Sequence, residues 1–133
     1  MKCRPLFAAL VSLNLVMISS GCSLHDQKCL VSGQVTIDSQ LVDGVYLLFH
    51  QEHSSNVVGT ARTDHSGHYL AKLPVAGRYA VTAFWPKIIR NTEETIEGED
   101  RLRGKYRDSL NPLTLITVST GENYPPAINI SSR

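Results

Sequence analysis

Asp64, His65 and His68 place three potential metal ligands within five residues, and His50 and His53 add two more imidazoles from earlier in the chain. A zinc site needs such donors to converge on one point, with carboxylate or carbonyl groups behind them to fix each ring. The spacing does not supply that convergence. His65 falls in a turn sequence, while His50 and His53, three apart on an extended chain, point to opposite faces. Solvated turn and surface histidines are the expectation, with no metal and no cofactor. Nucleophilic chemistry is no better served, because the chain has no nucleophile elbow, no zinc-protease helix and no glycine-rich phosphate loop. With no nucleophile, base and orienting group spaced for a shared site, no catalytic residue is expected.

The elements that must position any site read as strands. Cys29, Val31, Gly33, Val35 and Ile37 share one face of an alternating run, and Ser32, Gln34 and Thr36 share the other. The next run puts Val45, Leu47 and Phe49 inward, with Tyr46 and His50 outward. A period of two marks a half-buried antiparallel strand. Further runs follow at 57–63, 68–73, 78–85, 113–118 and 127–131, separated by the turn sequences Asp43-Gly44, Asp64-His65-Ser66-Gly67, Pro74-Val75-Ala76-Gly77 and Thr120-Gly121-Glu122-Asn123. Seven short strands with no amphipathic helix predict an all-β, antiparallel, immunoglobulin-like sandwich. Leu113 and Leu115 fit one face of their strand whereas Ile116 and Val118 fit the other, so a β-bulge near Leu115 or burial on both faces is expected.

Between Pro86 and Pro112 the alternation gives way to charge. Lys87, Arg90, Arg101, Arg103, Lys105 and Arg107 face Glu93, Glu94, Glu97, Glu99, Asp100 and Asp108. Structureless connections longer than about 12–15 residues are uncommon in compact domains and are often functional. Two readings are open: a recognition surface at one end of a rigid sandwich, or a self-satisfied solvated hairpin or helical turn. On the first reading the candidate ligand or partner surface comprises Trp85, Arg101, Arg103 and Tyr106.

Residues 1–21 have the parts of an export signal: Lys2 and Arg4, an apolar span from Leu6 to Ile18, and small residues leading to Cys22. The span is shorter than the about 20 apolar residues of a membrane-crossing helix, and Ser12 and Asn14 interrupt it. Ile18-Ser19-Ser20-Gly21-Cys22 resembles a bacterial lipoprotein cleavage site at Gly21 and Cys22, and departs from it at Ser19, where leucine is preferred. The resemblance implies that Cys22 becomes the mature N-terminus and carries a diacylglycerol and an acyl chain such as palmitate, making the membrane a partner through Cys22. Ser23 in place of aspartate then implies the outer rather than the inner membrane. An ordinary secretory signal, cut near the same place, is the alternative. The chain divides accordingly into a signal segment (1–21), a lipidated tether (22–28) and the sandwich (29–133). Losing Lys2 and Arg4 leaves eleven basic against twelve acidic side chains, with no basic surface of the kind that nucleic acid requires.

Val31-Ser32-Gly33-Gln34-Val35, Asp43-Gly44-Val45, Thr63-Asp64-His65-Ser66-Gly67-His68-Tyr69 and Pro74-Val75-Ala76-Gly77-Arg78-Tyr79-Ala80-Val81, in that order, resemble the carboxypeptidase regulatory-like domains, which are transthyretin-like (prealbumin-like) sandwiches. The segment from Gly104 to Thr114 and Gly121-Glu122-Asn123 are similar to the C-terminal part of small bacterial lipoproteins made of this one domain. Each block has a structural reason: Asp64 can bond the backbone of its own turn, Gly67 can take a positive φ, and Tyr79 and Val81 re-enter the core. Tyr106-Arg107-Asp108-Ser109 briefly resembles the terminal motif of transthyretin-like purine-pathway hydrolases, but it is internal and has Asp108 where glycine belongs. The resemblance thus implies a non-catalytic interaction or structural module of the cell envelope, with an envelope protein or glycan as partner. A carbohydrate or small-ligand module is the alternative, and a hydrolase comes third.

Cys29 turns the choice of signal into a measurement. A lipidated Cys22 leaves Cys29 as one unpaired, buried thiol, whereas simple secretion permits a Cys22–Cys29 disulfide. Intact mass of the mature protein, with and without alkylation in denaturant, is expected to show an acylated N-terminus and one alkylated thiol. An unacylated chain two mass units short would reverse the assignment.

Overall fold

The computed structural model of the protein describes residues 28–133. The signal segment, Cys22 and the proposed Cys22–Cys29 alternative lie outside the described residues. Eleven strands follow in order: β1 (Cys29–Ile37), β2 (Gln40–Leu41), β3 (Tyr46–Gln51), β4 (Val57–Arg62), β5 (His68–Leu73), β6 (Gly77–Phe84), β7 (Pro86–Arg90), β8 (Thr95–Asp100), β9 (Thr114–Val118), β10 (Gly121–Asn123) and β11 (Ile128–Ile130). No helix forms among the described residues. The seven expected strands are all present, as β1, β3, β4, β5, β6, β9 and β11. Four more join them. β2 and β10 are too short to display a period, and β7 and β8 lie in the charged segment, where adjacent Ile88 and Ile89 defeat alternation.

The first sheet is organised on β1. Along one edge β5 pairs antiparallel with Cys29–Gln34 and β2 with Thr36 and Ile37; along the other, β10 and β11 pair in parallel with Cys29–Val31 and Val35–Ile37. The antiparallel expectation is corrected at these two parallel contacts. A hairpin enforces reversal, but the chain reaches β10 from β9, in the opposite sheet, and runs on in the same direction into β11, so neither strand is a hairpin partner of β1. The second sheet is antiparallel throughout, in the order β4-β3-β6-β9. β7 and β8 form a separate two-stranded hairpin.

The two sheets close on a core fed by alternate residues. Cys29, Val31, Val35 and Ile37 face Leu47, Phe49, Tyr79, Val81 and Ile116, with Ile128 and Ile130 sealing one flank. Cys29 is 1% exposed, as its phase requires. Phe49 and Tyr69 meet with ring centroids 6.3 Å apart. Tyr69 fits because its partner in β1 is Gly33: a Cβ there would stand 2.7 Å from the Tyr69 hydroxyl and 2.9 Å from two ring carbons.

The turn chemistry is as the sequence implies. Asp64 Oδ1 accepts from the amides of Ser66 and His68 at 2.9 and 3.0 Å, and Gly67 adopts φ 70°. Those amides, His68 first, hold the Asp64 carboxyl below its usual range. Their support is present at neutral pH and is lost as pH falls through that lowered value.

Two local expectations are corrected. β9 pairs with β6 in unbroken register, so there is no bulge at Leu115. Instead Leu115 faces solvent, Ile116 and Val118 face the core, and Leu113 lies just before the strand, where its amide donates to the Val81 carbonyl. His50 does lie on the outer face of the second sheet, but it is only 5% exposed. Its Nδ1 lies 3.1 Å from the Ser55 carbonyl, which can only accept, so Nδ1 carries the proton and Nε2 accepts from the buried Thr82 hydroxyl at 2.9 Å. An imidazole satisfied at both ends no longer needs water, which is why an outward position could be covered.

Tyr69 supplies a stability prediction. Its hydroxyl is buried without a hydrogen-bond partner among the described residues, and burial pushes its pKa up to about 12. Removing an unsatisfied buried hydroxyl recovers about 1–3 kcal/mol of desolvation. Tyr69→Phe is therefore expected to raise the urea midpoint at neutral pH. Wild type, whose phenol ionises more readily unfolded than folded, should also lose stability from about pH 10 upward, a loss smaller in the variant. A Gly33→Ala chain should be destabilised by about 1–3 kcal/mol through overpacking.

Candidate functional site

At the Ile37 end of β1 the chain turns through β2 and Asp43 into β3, and the β7–β8 hairpin rises beside it. Between them lies a cleft of about 650 Å³, lined in part by Asp43, Arg62, Trp85, Arg90, Glu97 and Arg101. The volume falls within the range of about 300–1,000 Å³ typical of small-molecule sites.

Each wall has a local cause. β6 ends at Phe84, and Trp85 and Pro86 carry the chain into β7, which returns as β8 with Ile89 opposite Ile96 and Arg90 opposite Thr95. Alternation sends Ile88, Arg90, Thr95 and Glu97 toward the cleft and leaves Ile89 and Ile96 on the far face. Asp100 fixes the base of the hairpin. Its Oδ1 accepts from the amides of Trp85 and Leu102, each at 2.9 Å, and its Oδ2 accepts from the Gly104 amide at 3.0 Å. The Arg101 amide donates to the Trp85 carbonyl at 2.7 Å, and buried Leu102 pins the following turn to the core.

Aromatic and guanidinium groups form an ordered row along the second sheet. Arg62, Tyr46 and Phe84 are directly opposite one another on β4, β3 and β6. Tyr46 and Phe84 stack with centroids 4.9 Å apart, Arg62 lies 5.5 Å from the Tyr46 centroid, and Arg107 lies 4.7 Å from that of Phe84. Such cation–π contacts are worth about 0.5–1 kcal/mol each at exposed positions. The Tyr46 hydroxyl donates to Glu97 Oε1 at 2.5 Å, tying the hairpin to the sheet. That carboxylate, followed by partial burial, holds the Tyr46 phenol above its ordinary pKa.

The cleft carries an excess of positive charge. Among the described residues the ion pairs are His53–Glu52, His65–Asp43 and Arg78–Glu52, so Arg62, Arg90 and Arg101 have no carboxylate within 4.0 Å. Arg101 lies over the Trp85 ring at 4.6 Å, and the indole Nε1–H donates to the Asp43 carbonyl at 3.1 Å. Trp85 therefore braces the cleft and presents a guanidinium, with one face and its only donor already engaged.

Of the four sequence-predicted surface residues, Trp85 and Arg101 meet in the cleft, while Arg103 and Tyr106 do not line it. Arg103 occupies a positive-φ turn position, φ 56°, and is exposed. Tyr106 packs against the core and donates to the Ser131 carbonyl at 2.7 Å. Two more residues of the Tyr106–Ser109 motif are also engaged structurally, with Arg107 over Phe84 and Asp108 Oδ1 accepting from the Leu110 amide at 2.9 Å. Sequence reasoning missed Arg62, Arg90, Glu97 and Tyr46 as site residues. Strand alternation could give the face of Arg62 but not its neighbours, and nothing in the charged segment revealed that it folds back as a hairpin. His65 pairs with Asp43 at 3.1 Å, and among the described residues no three His, Cys, Asp or Glu side chains are grouped to hold a metal ion.

No family model matches the chain, and no curated protein does. Among solved structures it is similar to a 9R-lipoxygenase from Cyanothece PCC8801, with 8% identity and a TM-score of 0.49 over 78% of this chain and 16% of that one. It is also similar to a DUF3823 family protein from Parabacteroides merdae ATCC 43184, with 14% identity and a TM-score of 0.38 over 78% of this chain and 45% of that one. The chain thus spans less than half the length of either protein. The β-sandwich assignment rests on the strand pairing itself.

Asp100 is the test of how the hairpin is held. Asp100→Ala removes an acceptor shared by three amides, and hydrogen bonds to charged acceptors are worth about 1.5–3 kcal/mol. The variant is expected to lose about that much stability and to exchange the amide hydrogens of Trp85, Leu102 and Gly104 faster, while amides in β1 keep their relative protection. Uniform acceleration across both sheets would mean that the hairpin is not a separately held element.

Proposed function

We propose that this chain is a non-catalytic binding module of the bacterial cell envelope, anchored by lipid on Cys22, with the cleft beside the β7–β8 hairpin as its binding surface. The observation that carries the reading is the set of three guanidinium groups, from β4, β7 and the turn after β8, arranged around one concave site without ion-pair partners among the described residues. Unpaired arginine in a formed cleft is available for recognition, and its fork matches planar anions. The groups that could act as acid or base there, Asp43 and Glu97, are engaged by His65 and Tyr46, which supports binding over catalysis.

The export signal, the lipoprotein-like site at Cys22 and the block order shared with carboxypeptidase regulatory-like domains support an envelope location and membership of that group. The cleft also favours the small-ligand or glycan version of the module over a purely structural one, because a spacer domain has no need of a charged concavity.

Two measurements test this. Cells given an alkynyl palmitate analogue are expected to label the protein, with the label lost and the protein released to the soluble fraction in Cys22→Ala. Co-sedimentation of that soluble variant with delipidated envelope material is expected to fall at least tenfold when Arg62→Ala and Arg101→Ala are combined. Retention unchanged by the two cleft substitutions would exclude the cleft as the binding surface.

A further inference from the structure

We infer that the ligand of this cleft is an acidic saccharide, held through a uronate carboxylate by the guanidinium groups of Arg62, Arg90 and Arg101; this rests on the cleft being the binding surface. Charge balance selects the ligand. The lining carries three arginines against Asp43 and Glu97, an excess of one positive charge. One carboxylate neutralises that excess, whereas a phosphate monoester, with close to two negative charges at neutral pH, overshoots it. A guanidinium accepts a carboxylate side-on through two parallel N–H···O bonds, and Arg101 is already held over the Trp85 ring at 4.6 Å, which limits the rotamer freedom it loses on binding.

The remaining lining groups suit hydroxyls. Glu97 uses Oε1 for Tyr46, which leaves Oε2 as an acceptor, and the Thr95 hydroxyl stands on the neighbouring position of the same strand face. A sugar ring supplies donors for both, which a simple fatty or aromatic acid does not. Trp85 contributes no open stacking platform, since Arg101 lies over it and its N–H is bound to the Asp43 carbonyl. Recognition therefore depends on charge and hydroxyl pattern, and a neutral sugar lacks the first of these. The volume of about 650 Å³ admits a short oligomer rather than a single ring alone.

Trp85 is the only tryptophan in the chain, so emission excited beyond the tyrosine absorption band reports on this site. The full chain in detergent micelles is titrated with a trisaccharide bearing a single uronate (glucuronosyl-xylobiose), monomeric glucuronate, a neutral trisaccharide and inorganic phosphate. The uronate trisaccharide is expected to change the Trp85 emission saturably, with glucuronate weaker and the neutral sugar and phosphate at least tenfold weaker still. Arg62→Ala, and separately Arg90→Ala, should weaken the uronate trisaccharide at least tenfold. Arg101→Lys, which keeps the charge and loses the fork, should fall between wild type and Arg62→Ala. Arg78→Ala, whose arginine pairs with Glu52 elsewhere on the sandwich, should bind as wild type does. Circular dichroism checks that each variant is folded.

Equal affinity for the neutral trisaccharide, or preference for phosphate, would overturn the acidic-saccharide assignment while leaving the cleft as a binding surface. Silence from every titrant would overturn the assignment as well. In that case the envelope co-sedimentation of the Arg62 and Arg101 substitutions decides separately whether the cleft binds at all.

Discussion

The structure depends on the hydrogen bonding of one strand. β1 meets four others, β5 and β2 along one edge and β10 and β11 along the other, so nearly every amide and carbonyl over nine residues has a partner. A strand with both edges filled offers no template for another chain, and its alternate side chains, Cys29, Val31, Val35 and Ile37, form the floor on which the second sheet packs. Among the described residues β10 and β11 make no other sheet pairing. Without β1 there would be no first sheet to oppose β3 and β6, and the buried face of the second sheet would be open to water.

Above this floor, charge is handled locally. The outer face of the second sheet carries Tyr46, Phe84, His50 and Thr82, an unusual mixture for a face away from the core, and each is covered or paired. His50 and Thr82 satisfy one another, and Tyr46 and Phe84 stack between Arg62 and Arg107. The hairpin is tied to that face through Tyr46 and Glu97 and to the end of β6 through Asp100. Among the described residues it has no sheet partner beyond its own two strands, and isolated two-stranded hairpins are marginal in water. These few polar contacts therefore set both the position of the hairpin and the width of the cleft.

The sequence carries the sandwich clearly, because burial on one face forces a period of two and turn residues mark the reversals; seven strands were legible for that reason. The parallel pairing of β10 and β11 was not, since a local pattern gives a strand's faces but never its neighbours. His50 shows a related limit: its phase was legible, but not the carbonyl and hydroxyl that would let it be buried. In the site, Trp85 and Arg101 could be singled out because one stands at the root of the charged segment and the other inside it. Arg62 could not, being one more outward residue on an ordinary strand until β3 and β6 bring Tyr46 and Phe84 alongside. Tyr106 and Arg103 were drawn in by proximity along the chain, which a hairpin does not respect.

The direction of β1 has a spatial consequence. The tether enters at Cys29, while Asp43, Arg62 and the hairpin gather beyond Ile37, at the other end of the same strand. At about 3.3 Å per step, the eight steps from Cys29 to Ile37 hold the two ends about 26 Å apart. If Cys22 carries lipid as proposed, the arginines of the cleft lie at the end of the sandwich farther from the anchored end of β1, and a ligand reaches them without passing the tether.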